Sequence, residues 1–560
     1  MNNTILTIEH ASSSISSQLK CPRLEYYNQS KDEDIHKWLL TNKSVLLNIQ
    51  KLIIPIRLGQ EDAEYMGLYL GLHIRLTREL DNIRFLPILF ISEDTKDEIL
   101  ANQINNHKEK SGLLLFTRGS YLLSAFDLND YLSKQLTSLD NENYESDFLN
   151  QIILSLPDRY GKHSLANVWG AFRLAKFAGY SLNLEKPTSL YFKYKDSFTN
   201  NEVIPDSNTN IGVFNDSCRA LLIDDNADSG WSSILAFILK SKIIRSGIRI
   251  SLDVIKTFEE AMECNDYLKY DIIFLDLRLL QSEDKGNHIN DIEQFSGTKV
   301  LRRIRDVNKG IQVIVFTASN KVWYIESLLE IGAYGYYIKE SPEYTLNNSF
   351  SKENYKGLLG TIQKSLKLKF LKPFCEIQKK CLASISSNRT VKSIGYQQFF
   401  DRTIAAFEIS LELLVKVSQK PKYLNLAYLT LFQIIEDFVS QRENFEIFSN
   451  RKCYAGQSRI KVVDDSSGIL VWKLTFKKDK VNGDYFEIGD ATLLQEVPIQ
   501  TLAKVSFALV FMFNKDNICL KKWANLNNIR NTKAGHGGDK GYVKIENIDE
   551  LLEIIELILT

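Results

Sequence analysis

The feature that most restricts how this chain can fold is an alternation of strand-like and helix-like runs, repeated through five rounds in residues 213–368. The strand-like runs are "RALLI", "RISLDVI", "IIFL", "QVIVF" and "GYYI". Each is short, apolar and rich in β-branched or aromatic residues, as in strands buried on both faces of a parallel sheet. An α/β fold with a five-stranded parallel sheet is therefore expected here. Functional groups of an open α/β sheet gather at the carboxyl ends of the strands. Asp224 and Asp225 follow the first run, Asp276 the third, Thr317 (with small Ala318 behind it) the fourth, and Lys339 the fifth. Clustered carboxylates repel one another unless a cation neutralises them, and hard oxygen ligands with room for water and phosphate suit Mg²⁺. A carboxylate can attack a phosphoryl donor. A metal and a lysine can neutralise the phosphoryl oxygens, and a nearby hydroxyl can register the new phosphate. The bland alternative is a set of solvated loop carboxylates, which has to explain five coincidences at once.

This block resembles the receiver domain of two-component response regulators. The resemblance implies a flavodoxin-like fold with Asp276 as phosphoacceptor. It implies that Asp225, supported by Asp224, holds Mg²⁺ together with Asp276 and the backbone carbonyl of Arg278. Thr317 would be the switch hydroxyl, Tyr336 the switch aromatic, Lys339 the phosphate-pairing cation, and a cognate sensor histidine kinase the phosphodonor. Two departures stand out. Receivers usually have proline directly after the lysine, whereas this chain reads "KESP". The loop after Asp276, "LRLLQSEDKGNHINDIEQFSG", is also roughly a dozen residues longer than a usual short loop, with the next helix expected near Thr298. It is either a tolerated insertion or a surface that selects the kinase.

At 560 residues the chain is too long for one core, and roughly 150 residues per domain suggests three or four domains. The expected units are 1–205, 213–368 and 371–560, with the polar stretch Asp196–Gly212 as a linker. The first has α/β texture, with strand-like "KLIIPIRL", "LPILFIS" and "GLLLFT" and helical "EDAEYMGLYLGLHIRLTREL". Its "LLLFTRGS" resembles a receiver's fourth strand with Thr117 after it. No paired acids follow "KLIIPI", read as the first strand, and no lysine closes the set. A degenerate receiver-like docking or sensing module is expected. Lys+Arg and Asp+Glu are both 69, so no global field draws the chain to nucleic acid or membrane. The 7 scattered cysteines form no CxxC pair, as for reduced thiols in a cytoplasm. No signal pattern opens the sequence, and "TLAKVSFALVFMF" is too short for a span and carries Lys504. A soluble cytoplasmic protein is expected.

The third unit carries helical spacing in Ile404, Phe407, Leu411 and Leu414, in Leu424, Leu431, Ile434 and Phe438, and in Leu520, Trp523, Leu526 and Ile529. "ILVWKLTF" and "YFEIGD", joined through Asn482-Gly483, read as a hairpin. The last helix is expected from Asn547, with Glu550 completing a capping box. A mainly α-helical bundle with a small β insertion is thus expected. In "RNTKAGH", Gly535 and the glycines after His536 mark a helix stop, and the break would let the imidazole fold back toward Arg530. An arginine, a polar residue and then a histidine near the start of a last helix resemble the HEPN family of helical domains. Many of its members are metal-independent ribonucleases in toxin and antiviral systems. The resemblance implies His536 as general base or acid, Arg530 stabilising the phosphorane, Asn531 orienting the histidine, RNA as substrate, and a homodimer pairing two sites. The alternative is a capping histidine on a bundle that only dimerises.

A receiver joined to a HEPN-like unit resembles effectors of two-component-like bacterial defence systems such as the Detocs group. The leading expectation is an RNA-cutting effector gated by phosphorylation of Asp276. The alternative is a non-enzymatic adaptor or phosphate sink. A DNA-binding regulator fits poorly, because no helix-turn-helix with a basic recognition face is legible.

Overall fold

The computed structural model describes the chain apart from residues 1–3, 14, 28–30, 59–64, 107–110, 125–126, 155–161, 181–188, 200–211, 215–216, 246–249, 285–290, 319–321, 343–347, 389–393, 419, 441–450, 457–458, 465–470, 478–484, 491–500, 512 and 537–540; for 451–490 and some shorter stretches it describes backbone only. Strands β1 (Ile5–Glu9), β2 (Arg23–Glu25), β3 (Lys51–Pro55), β4 (Ile88–Ile91) and β5 (Ser120–Leu123) form one parallel sheet in the order β2-β1-β3-β4-β5. Strands β6 (Gly212–Phe214) and β8 (Ile243–Arg245) pair separately. Strands β7 (Cys218–Ile223), β9 (Ile250–Ile255), β10 (Ile272–Asp276), β11 (Gln312–Thr317) and β12 (Gly335–Ile338) form a second parallel sheet, ordered β12-β11-β10-β7-β9. Both sheets therefore have the flavodoxin-like order second-first-third-fourth-fifth, and the crevice at the order reversal lies between first and third strands.

Period-two alternation sorts the central strands onto two cores. Ala220, Leu222, Phe274 and Phe316 face Trp231, Leu358 and Ile362. Leu221, Ile223, Ile273, Leu275, Val313 and Val315 face Val300, Leu301, Ile304 and Leu328. The first core also takes in Ala171, Leu174, Ala175 and Ala178 of the helix Lys162–Ala178. That spacing of three and four puts them on one stripe of the helix. Val168 and Trp169 of the same helix lie in the core of the N-terminal sheet. This helix belongs to both cores, although the sequence places it wholly in the first block.

The N-terminal reading needs two corrections. "ILTIE" is the first strand of the sheet and "KLIIP" the third in chain order. "SGLLLF" is a short 3-10 helix, so Thr117 does not end a fourth strand; β4 is "ILFI". Apolar runs this short do not distinguish strand from buried helix by periodicity.

The C-terminal unit is a helical bundle. Phe374, Phe407, Leu431, Trp523 and Leu552, from five helices, share one core. Its β insertion is larger than a hairpin. Strands β13 (Arg451–Gly456), β14 (Arg459–Asp464), β15 (Val471–Lys477) and β16 (Tyr485–Asp490) make a four-stranded antiparallel sheet. The expected β15–β16 pair is there, while the Asn482-Gly483 turn lies outside the described residues. The last helix runs Ile545–Leu559, and Asn547 is its third residue, accepting a hydrogen bond from the backbone N–H of Lys544 (3.1 Å). Among the described residues no helix is long and apolar enough to cross a membrane.

A buried polar chain pins the segment after the shared helix to the N-terminal sheet. Lys193 Nζ donates to Thr77 Oγ1 (2.9 Å) and lies 3.1 Å from His73 Nδ1, while His73 Nε2 lies 3.2 Å from Asp32 Oδ1. Asp32 also accepts from Tyr69 Oη (2.5 Å) and the Leu190 N–H (3.0 Å). Burial, and then the Lys193 ammonium, push His73 down to about 4. Because its folded pKa lies below the unfolded value, the stability from neutral His73 is present above about pH 6.5 and is lost as pH falls toward 4. The unfolding midpoint should therefore drop across that window, and His73→Gln should flatten the drop in pH-dependent thermal melts.

Candidate functional site

The carboxyl ends of β7, β10, β11 and β12 bring the expected central residues together. One carboxylate oxygen from each of Asp224, Asp225 and Asp276 lies within 4.8 Å of the others, the one such acidic or metal-ligating cluster found among the described residues. Lys339 Nζ donates to Asp276 Oδ2 (2.6 Å) and Asp224 Oδ2 (2.9 Å). Asp224, Asp276, Thr317 and Lys339 are all buried, and Asp225 is half-buried. The Lys339 N–H donates to the Thr317 carbonyl (2.7 Å), which locks the fourth and fifth strand ends together. Asn226 shapes the acidic turn, with its N–H to Asp224 Oδ1 (2.8 Å) and its side-chain amide to Asp225 Oδ1 (2.9 Å). Tyr336 points away from the core and is 41% exposed. The Arg278 N–H reaches Asp276 Oδ1 (3.5 Å) and its guanidinium lies 5.4 Å from the Phe295 ring centre.

Burial raises the carboxyl pKa of Asp276, against the pull of Lys339 and with the push of Asp225. Burial likewise raises Asp224, with Lys339 opposing and Asp276 adding to it. For Lys339, burial favours the neutral amine, but Asp224 and Asp276 outweigh it and raise the pKa. Two buried carboxylates, Asp224 and Asp276, share the one Lys339 ammonium, with half-buried Asp225 beside them. An all-oxygen donor set with excess negative charge fits a hard divalent cation such as Mg²⁺.

Both departures from the receiver pattern have structural counterparts. Where proline is usual, Glu340 is buried and accepts from Arg173 Nε (3.3 Å) and Ser351 Oγ (2.7 Å). In the long loop, Glu283 accepts from the N–H (2.7 Å) and hydroxyl (2.8 Å) of Ser296, capping the helix Ser296–Val307, which starts two residues before the expected Thr298. Gly297 lets that helix touch the end of β10, since a Cβ there would lie 2.3 Å from the Asp276 carbonyl oxygen.

In the C-terminal unit, Arg530 stands in the last turn of the helix Asn517–Thr532, and His536 closes the 3-10 turn Ala534–His536. The helix does stop between them. Arg530 Nη2 pairs with Glu436 Oε1 (3.2 Å), Nη1 donates to Asn531 Oδ1 (3.0 Å), and the guanidinium lies 5.8 Å from the Phe432 ring centre. Asn531 is thus engaged with Arg530. The His536 side chain and both following glycines lie outside the described residues.

Comparison with known proteins places a receiver elsewhere than the sequence does. Residues 1–123 match the family "Inactive Receiver domain". The family match falls on the N-terminal block, where a degenerate receiver-like module is expected from the sequence, and not on the central block, where the sequence places the receiver itself. Similar solved structures include a two-component response regulator from Clostridium difficile (24% identity, 26% of this chain and 96% of that one, TM-score 0.18). Others are the response regulator domain of Thermotoga maritima CheB (20%, 27% and 97%, TM-score 0.19) and the receiver domain of NtrX from Brucella abortus (16%, 26% and 98%, TM-score 0.18). No curated protein matches. The strand ends of the N-terminal sheet differ from those of the central sheet. Its first strand ends in Glu9, whose carboxylate accepts from Ser13 Oγ (2.6 Å) and the Ile15 N–H (3.2 Å). Its third strand leads into buried Ile56, and its fifth into Ser124, which donates to Asp127 (2.6 Å). No carboxylate stands at the third strand end and no lysine directly after the fifth.

The sequence did not point to Asn167, whose Oδ1 accepts from Lys339 Nζ at 2.8 Å across 172 positions. No local motif marks it. The geometry predicts that Mg²⁺ stabilises the wild type by about 2.7 kcal/mol at a hundredfold excess over Kd, read as a higher thermal midpoint, and that Asp225→Asn removes most of that increment. Asp224→Asn should raise the metal-free midpoint, because it deletes a buried charge that burial disfavours.

Proposed function

We propose that the chain is a phosphorylation-controlled response regulator in which the central block accepts a phosphoryl group on Asp276 and the C-terminal bundle is the output. One observation carries this reading: the Lys339 ammonium sits 2.6 Å from Asp276 inside a three-carboxylate cluster. The inactive-family match concerns residues 1–123 and leaves this second sheet free for the chemistry. An Asp276 carboxylate oxygen attacks phosphorus of a kinase phosphohistidine. The new O–P bond forms as the P–N bond breaks, and the electron pair leaves on the imidazole nitrogen, which takes up a proton. Lys339 neutralises the phosphoryl oxygens, and the Thr317 hydroxyl binds one of them. Asp224, Asp225, Asp276 and the Arg278 carbonyl would hold Mg²⁺, which supplies charge neutralisation. Partially exposed Tyr336 is placed to change its packing when Thr317 moves. The N-terminal receiver-like unit serves as a docking or sensing module, and the units 1–205, 213–368 and 371–560 act together in a cytoplasm.

For the output we propose a HEPN-type ribonuclease in antiviral defence. The break in the helix between Arg530 and His536 supports it. Two copies would pair their sites in a homodimer. A second reading, a non-enzymatic adaptor, is favoured by the Arg530–Glu436 ion pair, which holds the guanidinium.

Acetyl phosphate or the cognate sensor histidine kinase should label the wild type and leave Asp276→Asn unlabelled; equal labelling of the two would refute the assignment. For the output, phosphorylated protein is incubated with total RNA. His536→Ala should cut RNA cleavage by about a hundredfold to ten-thousandfold, and Arg530→Ala should lose a comparable amount, with Asp276 labelling unchanged in both. Cleavage at the wild-type rate by His536→Ala would leave the adaptor.

A further inference from the structure

The phosphoacceptor site is completed by a residue from outside the central sheet. The Lys339 ammonium has three protons and donates to three acceptors: Asp276 Oδ2 (2.6 Å), Asp224 Oδ2 (2.9 Å) and Asn167 Oδ1 (2.8 Å). Asn167 is buried and stands on the helix Lys162–Ala178, which belongs to both the N-terminal and the central core. Two further contacts on this helix hold Asn167 in place. At Gly170 a Cβ would lie 3.0 Å from the Trp231 ring and 3.2 Å from the Glu340 carbonyl oxygen, so the helix lies against the loop that carries Lys339. One turn on, Arg173 pairs with Glu340 (3.3 Å) and donates to Ser351 (2.9 Å), all three side chains buried. An ion pair buried on both sides is costly to separate, so the helix is fixed to the loop after β12.

We propose that Asn167 is a positioning residue of the Asp276 site, aiming the Lys339 ammonium so that one of its protons is directed at the reacting carboxylate and then at the phosphoryl group. The inference rests on the reading of Asp276 as phosphoacceptor. As the Asp276 oxygen becomes the bridging oxygen of an acyl phosphate it loses charge and accepts more weakly. The Lys339 N–H that it accepted is then offered to a phosphoryl oxygen without rotation of the ammonium, because Asp224 and Asn167 keep the other two. Without Asn167 the ammonium keeps two fixed acceptors and can pivot about them. Fixed orientation of a charged donor is what an electrostatic site needs, since reorganising it during the reaction costs rate. The receiver-like N-terminal unit would thus have lost its own acidic site and lend a side chain to its neighbour's. The chemistry that recognises Asn167 is the lysine ammonium of the same chain.

The test uses the full-length protein with Asn167→Ala and Asn167→Asp. Two readouts are taken: binding of beryllofluoride in the presence of Mg²⁺, followed by intrinsic tryptophan fluorescence, and the initial rate of Asp276 labelling over a range of acetyl phosphate concentrations. Asn167→Ala should raise the half-saturating beryllofluoride concentration about tenfold and lower the maximal labelling rate about tenfold, with the half-saturating acetyl phosphate concentration little changed. Asn167→Asp, which keeps the acceptor and the shape, should return both to within about threefold of wild type. If Asn167→Ala does not fold, Asn167→Leu, similar in volume and without an acceptor, carries the same expectation. A lower melting temperature with unchanged beryllofluoride affinity and labelling rate would mean that Asn167 only packs, and would overturn the proposal while leaving the phosphoacceptor reading intact. A wild type that takes no label on Asp276 would overturn both.

Discussion

Much of this structure is organised around one buried ammonium. Lys339 sits where four strand ends meet, and its charge makes the approach of Asp224 and Asp276 tolerable. Two carboxylates drawn from water and set side by side would repel strongly and lose hydration. The lysine offsets one of them, and the remaining excess of negative charge makes the cluster suited to a cation. The parallel sheet supplies the rigidity: five hydrogen-bonded strands fix the ends on which these residues stand. The Thr317 carbonyl, bound by the Lys339 N–H, joins hydroxyl and ammonium into one unit.

The chain holds two sheets with the same strand order and different side chains at their strand ends. At the N-terminal one, the carboxylate that ends the first strand, Glu9, turns to cap the following helix and the third strand leads into an apolar residue. At the central one, the acids point at a shared lysine. The difference lies in a few side chains at the strand ends and leaves the framework unchanged, as expected when a fold is set by apolar periodicity and a site by what is grafted onto it. The helix Lys162–Ala178 joins the two, with small residues at Ala171, Ala175 and Ala178 lying in the central core and Trp169 in the other. The C-terminal bundle meets the central sheet at the opposite pole. Lys372 reaches Asp271, just before β10, and Asn308 bonds the Lys372 carbonyl. Asp276 and the bundle therefore lie at opposite ends of the central strands.

The central strands were legible because buried parallel strands read as short apolar runs, and Asp224, Asp225, Asp276, Thr317 and Lys339 fall at their ends in order. "ILTIE" was not read as a strand and "GLLLFT" was, because three or four apolar residues in a row suit either a strand or a buried turn of helix. Strands β13 and β14 were missed because "RKCYAG" and "RIKVVD" carry charges within the run. The stop after Arg530 was legible from its glycines.

The sequence by itself determined the central sheet, the acid–lysine constellation and the helices of the bundle, since these follow from local periodicity and from residues counted off strand ends. Only the tertiary structure decided that Glu340 replaces a usual proline in order to hold Arg173, and that Asn167 completes the Lys339 shell. It also assigned one helix to two cores. Each of these joins residues more than a hundred positions apart. Hydrogen-bond partners at such separation leave no spacing to read, because the distance between them is set by packing alone.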